Sequence, residues 1–175
     1  LAGITNVTAE NLALLNVDVG DEALTLAEIQ LTADQVTHLV LIRIYSQDSS
    51  NTEPTLANYT GANINDPRAE NVADYNSVIG DGLLTTRFEF DRTVNAINSL
   101  DDYANGNTNV VPTINTYLAA GFNELNPLNV SVINSALVTD QLVTLTNIQM
   151  SVTALNTLVS HALDANSASP SVDDY

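Results

Sequence analysis

The stretch Pro54-Thr55-Leu56-Ala57-Asn58-Tyr59 recurs as Pro112-Thr113-Ile114-Asn115-Thr116-Tyr117 and again as Pro170-Ser171-Val172-Asp173-Asp174-Tyr175. The step is 58 residues both times. Self-similarity at a fixed period of this size is the signature of a repeat architecture, so it comes before any local propensity. Two further landmarks keep the period. Val36, Leu39, Ile42 and Tyr45 return as Val94, Ile97, Leu100 and Tyr103, then as Val152, Leu155, Leu158 and His161. Asn11-Leu12 with Asn16 returns as Asn71-Val72 with Asn76 and as Asn129-Val130 with Asn134, at steps of 60 and 58. The longer first step places a two-residue length change in the loop ahead of that block. The reading is three tandem repeats, 1–59, 60–117 and 118–175.

Each repeat reads as helical, and the chain as all-α. Leu12, Leu15 and Val19, then Val72, Tyr75 and Ile79, then Val130, Ile133 and Leu137 fall at i, i+3, i+7, one face of a helix. Asn6, Asp66 and Asn126 are the expected N-caps, with Pro67 and Pro127 at the first helical position, where a missing N–H costs nothing. A longer helix is predicted over about 24–46, 84–104 and 141–164. His38 to Tyr45 is rich in β-branched residues and has strand character, but its copies at 96–103 and 154–161 read as helix. A short helix is expected to start at the N-caps Thr55, Thr113 and Ser171 and to stop at Gly61 or Gly121. Each repeat thus has two longer helices and a short one. A unit this small is marginal alone, and stacking neighbours into a short array extends the core.

Composition narrows function. Four Arg and no Lys oppose 21 Asp and Glu, a formal net charge of −17. Nucleic-acid binding needs a basic face to displace counterions, and an anionic membrane repels this chain. The densest apolar run, Leu39–Ile42, stops at Arg43, far short of the roughly 20 residues a membrane span needs. Without Cys there is no disulfide, thiol nucleophile or thiolate metal site. Without Lys there is no Walker A motif and no Schiff-base chemistry. No Gly-x-Ser-x-Gly turn is present, and His38 and His161 sit in apolar tracks as packing residues. No catalytic residue and no cofactor are expected. Calcium is the one ion this composition suits, yet Asn16-Val17-Asp18-Val19-Gly20-Asp21-Glu22 departs from an EF-hand loop. The competing reading is a solvated acidic surface.

The residues singled out are therefore structural or interfacial. Asn16, Asn76 and Asn134 each follow a core position on a helix, and Asn is an indifferent helix former. Their amides are expected to bond the backbone of a neighbouring loop and fix how units stack; a ligand contact repeated in each module is the alternative. Tyr59, Tyr117 and Tyr175 read as core anchors whose phenols reach a polar edge. The run 39–44, with Leu39, Leu41 and Ile44, is more apolar than its copies at 97–102 and 155–160, an excess that suits a subunit interface or a binding face. Residue 1 is Leu, which predicts a processed or excised piece. The first repeat has no short helix ahead of it, while the third ends on the start of a spare one. A piece of a longer array and a subunit that lends its last segment both fit.

Val7-Thr8-Ala9-Glu10-Asn11-Leu12, then Asn16, then Ala27-Glu28-Ile29-Gln30 resembles the helical repeats of very large secreted surface proteins and adhesins of marine and other Gram-negative bacteria. The second repeat keeps Ala69-Glu70-Asn71-Val72 and Asn76, and the third keeps Asn129-Val130, Ile133-Asn134 and Ile148-Gln149. A fainter likeness, through Tyr117, Ala120-Gly121 and Ile133-Asn134-Ser135-Ala136, is to three-helix modules that bind host serum proteins. The first resemblance implies a non-catalytic, extracellular or cell-surface spacer or adhesive element. The expected partners are other copies of the chain in a homopolymer, or adjacent repeats of a parent protein. An adhesin-type module gripping a host protein or glycan through one helix face is the alternative.

Overall fold

The computed structural model describes residues 3–19, 24–80, 82–142 and 144–163. Among these the chain is all-α: α1 (Ala9–Val19), α2 (Leu26–Gln47), α3 (Leu56–Gly61), α4 (Val72–Ile79), α5 (Arg87–Ala104), α6 (Ile114–Ala119), α7 (Val130–Thr139) and α8 (Leu145–Leu163). Short 3₁₀ turns at Ala69–Asn71 and Pro127–Asn129 lead into α4 and α7. No described residue lies in a strand, so the β-branched tract at 38–45 is helical. The chain forms two compact units, Leu1–Val94 and Asn95–Tyr175.

In the first unit α2 packs against both α1 and α3. Its track Ala33, Val36, Leu39, Ile42 and Tyr45 is buried at every third residue. A capping box starts it: the Thr25 N–H donates to the Glu28 carboxylate at 2.7 Å, and the Glu28 N–H to the Thr25 hydroxyl at 3.3 Å. The Thr25 N–H, and after it the Thr25 hydroxyl donating to the same carboxylate at 2.7 Å, hold the Glu28 carboxyl below its ordinary range. Asn11 ties α1 to α2. Its buried amide accepts from the Thr8 N–H at 2.8 Å and donates to the Asn6 carbonyl at 2.6 Å and to the Thr37 hydroxyl at 3.1 Å.

The short helices follow the same rules in both units. Thr55 and Thr113 are the N-caps, as expected. Asn58 reaches back to the Thr55 N–H at 2.8 Å, and Thr116 to the Thr113 N–H at 3.2 Å. At the other end the Ile64 N–H bonds the Tyr59 carbonyl at 3.0 Å, and the Phe122 N–H bonds the Tyr117 carbonyl at 2.9 Å. These are Schellman closures, which need a left-handed residue just past the cap. Asn63 supplies it in the first unit (φ 57°) and Gly121 in the second (φ 92°).

Several local expectations need correcting. Gly121 takes the place foreseen for it, but Gly61 is the last residue of α3. Asn63 holds the turn there, because Asn tolerates the left-handed region. Asn126 caps its 3₁₀ turn through the Leu128 N–H at 3.0 Å with Pro127 next, as expected. Asn6 and Asp66 instead adopt positive φ (61° and 48°), and Arg68 rather than Asp66 precedes the turn at Ala69, so Pro67 lies outside it. Leu12, placed on the inner face, is exposed.

Gly61 is required for closeness rather than for its dihedral angle. A Cβ there would come 2.6 Å from Cγ and Nε2 of His38, which also faces Asn58 Nδ2 at 3.4 Å. In an open helix Gly to Ala stabilises. Here Gly61→Ala is expected to cost about 1–3 kcal/mol by overpacking. His38→Ala in the same chain should relieve it, as urea unfolding would record; a stabilising Gly61→Ala would contradict the contact.

Candidate functional site

The most specific polar arrangement joins the start of each short helix to the helix after it. Pro54 ends the loop ahead of α3, and its carbonyl has no partner within that helix. Thr55 turns the chain into α3, which places Tyr59 inward with no exposed surface. The Tyr59 hydroxyl donates to Asn76 Oδ1 at 2.7 Å, and Asn76 Nδ2 donates to the Pro54 carbonyl at 2.9 Å. Asn76 lies on α4 and is buried. One amide thus holds both ends of the first α3 turn against α4. In the second unit the Tyr117 hydroxyl donates to Asn134 Oδ1 at 2.7 Å, and Asn134 Nδ2 to the Pro112 carbonyl at 2.9 Å. The separations are the same, 17 residues from Tyr to Asn and 22 from Pro to Asn.

The aromatic support for this lock changes place between the units. Tyr59 meets Tyr75 edge-on, with ring centroids 5.4 Å apart, while Tyr117 meets Phe122 edge-on at 5.9 Å. Counted 58 residues along, Tyr75 corresponds to Ile133, and Ile64 to Phe122. Aromatic and aliphatic side chains have exchanged positions, and all four are buried. An edge-to-face ring adds about 0.5–1.5 kcal/mol beyond its buried area, so either position supports the tyrosine.

Burial raises the pKa of both phenols above the ordinary value near 10. The neighbouring Tyr45 and Tyr75 add to this at Tyr59, and Tyr103 at Tyr117. The hydroxyls remain protonated donors at neutral pH, which suits a fixed hydrogen bond and not proton transfer. Above pH 10 the unfolded chain releases these protons and the folded chain keeps them. Stability should then fall with rising pH, by up to about 1.4 kcal/mol per pH unit for each tyrosine. Alkaline titration followed by phenolate absorbance and circular dichroism is expected to show these two phenols ionising only as helix is lost; ionisation within an intact fold would contradict the burial.

Asn16, the third member of the asparagine set, is exposed on α1, unlike Asn76 and Asn134. Tyr175 lies outside the described residues. Leu39 is in the core at 4% exposure, so the outward apolar residues of that run are Leu41 and Ile44, at 47% and 38%. His38 is half-buried between α2 and the end of α3, and His161 is half-buried on α8.

The carboxylates do local work. Glu28 closes the α2 box, and Glu89 accepts from the Thr85 and Thr86 N–H groups, both at 2.9 Å, at the start of α5. Asp18 pairs with Arg87 at 3.1 Å. Among the described residues no three His, Asp or Glu side chains gather as a metal site, and no helix is long and apolar enough to cross a membrane.

Sequence reasoning reached the asparagines and the tyrosines separately and did not join them to each other. The signal was their constant 17-residue offset. Comparison with protein-family models, curated proteins and solved structures finds no match to this chain.

Proposed function

We propose that the chain is a non-catalytic structural protein of the bacterial cell surface or of an extracellular filament. It is built as three tandem units, 1–59, 60–117 and 118–175, and works by stacking and self-association. The observation that carries this reading is the lock of tyrosine, asparagine and proline carbonyl, present twice with the same spacing and distances. In both locks the recurring tyrosine and asparagine, Tyr59 with Asn76 and Tyr117 with Asn134, are buried and hold one helix against the next. A repeated ligand contact would instead keep its polar groups accessible. The matching Schellman closures, with Asn63 and Gly121 at corresponding places, support the same period. Sedimentation velocity across a concentration series, with and without calcium, tests the reading. Mass that grows in steps of one chain is expected; a monomer at every concentration would contradict self-association.

A second reading is an adhesin-type module that grips a host protein or glycan. It is favoured by one observation: Leu41 and Ile44 stand exposed on α2, where the corresponding residues are Ser99, Asp102, Thr157 and Ser160. Host-protein and glycan arrays probed with the native chain and with Leu41→Glu would separate the two. Signal lost in the variant supports the module, and no signal from either chain removes it.

A further inference from the structure

We propose that Asn105 and Gly106 form a self-modification site, at which the chain deamidates its own asparagine to isoaspartate, and that the end of α5 controls the reaction. This stands apart from the reading of the chain as a structural unit. Asparagine is a thermally labile residue, and of the asparagines in this chain only Asn105 is followed by glycine. The one co-reactant is water. The Gly106 amide nitrogen attacks Asn105 Cγ. An N–Cγ bond forms, the Cγ–Nδ2 bond breaks, and ammonia leaves with the proton of the amide. Water then opens the succinimide at either carbonyl, giving aspartate or isoaspartate. A side chain after the asparagine hinders the attack, and Gly106 has none. Both residues are exposed, and a Cβ on Gly106 would meet nothing within 4 Å, so no neighbour shields the nitrogen.

The folded chain keeps both reacting groups off this path. Helix α5 ends at Ala104, and Gly106 follows with φ 70°. The Asn107 N–H bonds the Asp102 carbonyl at 2.8 Å and the Gly106 N–H bonds the Tyr103 carbonyl at 3.2 Å, the two bonds of a Schellman closure. The nitrogen that must lose its proton and attack is therefore engaged as a donor. The leaving amide is engaged too. Asn105 Nδ2 donates to the Asp101 carbonyl at 3.0 Å and to Asp101 Oδ1 at 2.8 Å, which draws the side chain back over the last turn of α5. Attack thus requires the cap to open, and helix ends open at far lower free energy than the core. The product does not close again. Isoaspartate adds a methylene to the main chain and moves Gly106 out of register with the closure. Its new carboxylate also sits at the negative end of the helix, next to Asp101. Passing fraying becomes a permanent change at the head of the loop that leads to Pro112, whose carbonyl the second lock holds.

The full-length chain tests this when aged at mildly alkaline pH, folded in buffer and unfolded in urea. Isoaspartyl methyltransferase labelling and peptide mass spectrometry report the product at residue 105, and Asn105→Ala sets the background. The unfolded chain is expected to accumulate isoaspartate there, and the folded chain to do so about tenfold or more slowly. Asp101→Ala removes the Oδ1 acceptor and keeps the carbonyl. Shown folded by circular dichroism, it should react at a rate between the two. No isoaspartate at 105 in urea would overturn the site. Equal rates in the folded and unfolded chains would overturn control by the end of α5, and an Asp101→Ala rate equal to the native one would overturn the part given to Asp101.

Discussion

Tyr59→Ala is expected to destabilise the first unit by about 3–5 kcal/mol, the usual cost of removing a fully buried aromatic side chain. Three losses add up at this position. The ring leaves a cavity beneath α3, where it has no exposed surface. The edge-on contact with Tyr75 at 5.4 Å disappears. Asn76 Oδ1 loses its donor inside the core. Tyr59→Phe separates these terms, since it keeps ring and volume and removes only the hydroxyl. Its expected cost is about 1–3 kcal/mol, that of a buried acceptor left unpaired. Urea unfolding followed by circular dichroism measures both. Equal costs for the two variants would show that the hydroxyl, and not the packing, carries the site; a neutral Tyr59→Phe would show that the bond to Asn76 contributes nothing.

Asn76→Leu is expected to cost about 2–5 kcal/mol, because it orphans two buried groups at once, the Tyr59 hydroxyl and the Pro54 carbonyl. Asn134→Leu should cost as much in the second unit, where the Tyr117 hydroxyl and the Pro112 carbonyl are left. Asn16→Leu should stay within about 0.5 kcal/mol in the isolated chain, since its side chain is exposed. The contrast among three asparagines at corresponding positions is the useful result. If all three prove neutral, the lock is not a structural element. If Asn16→Leu is as costly as the others, its surroundings in the isolated chain differ from those described.

Most of the helical order was legible because its signals are local. Thr55 and Thr113 end loops and precede apolar residues at helical spacing, so their role as caps follows from side-chain chemistry alone. The i, i+3 track from Val36 to Tyr45 outweighed its β-branched content once its copies were laid beside it. What stayed hidden depends on where separate segments meet. Periodicity tells which residues recur and not which of them touch, so Tyr59 and Asn76 were found without being paired. Gly61 matched the rule for a helix end, yet Asn63 carries the left-handed turn and Gly61 answers to the His38 ring. Leu39 was grouped with Leu41 and Ile44 as one apolar run, but a helix turns 100° per residue and sends the first inward and the others out. Leu12 shows the same limit from the other side, since an apolar residue on the expected face is covered only where a neighbour packs over it.

The central claim, that this chain is a structural unit acting through contacts between copies, is most directly tested by electron microscopy of the native protein across a concentration series at low and high salt. The account predicts particles that lengthen with concentration and with salt, along one axis, in steps of a single chain. Isolated particles of one size under every condition would contradict it.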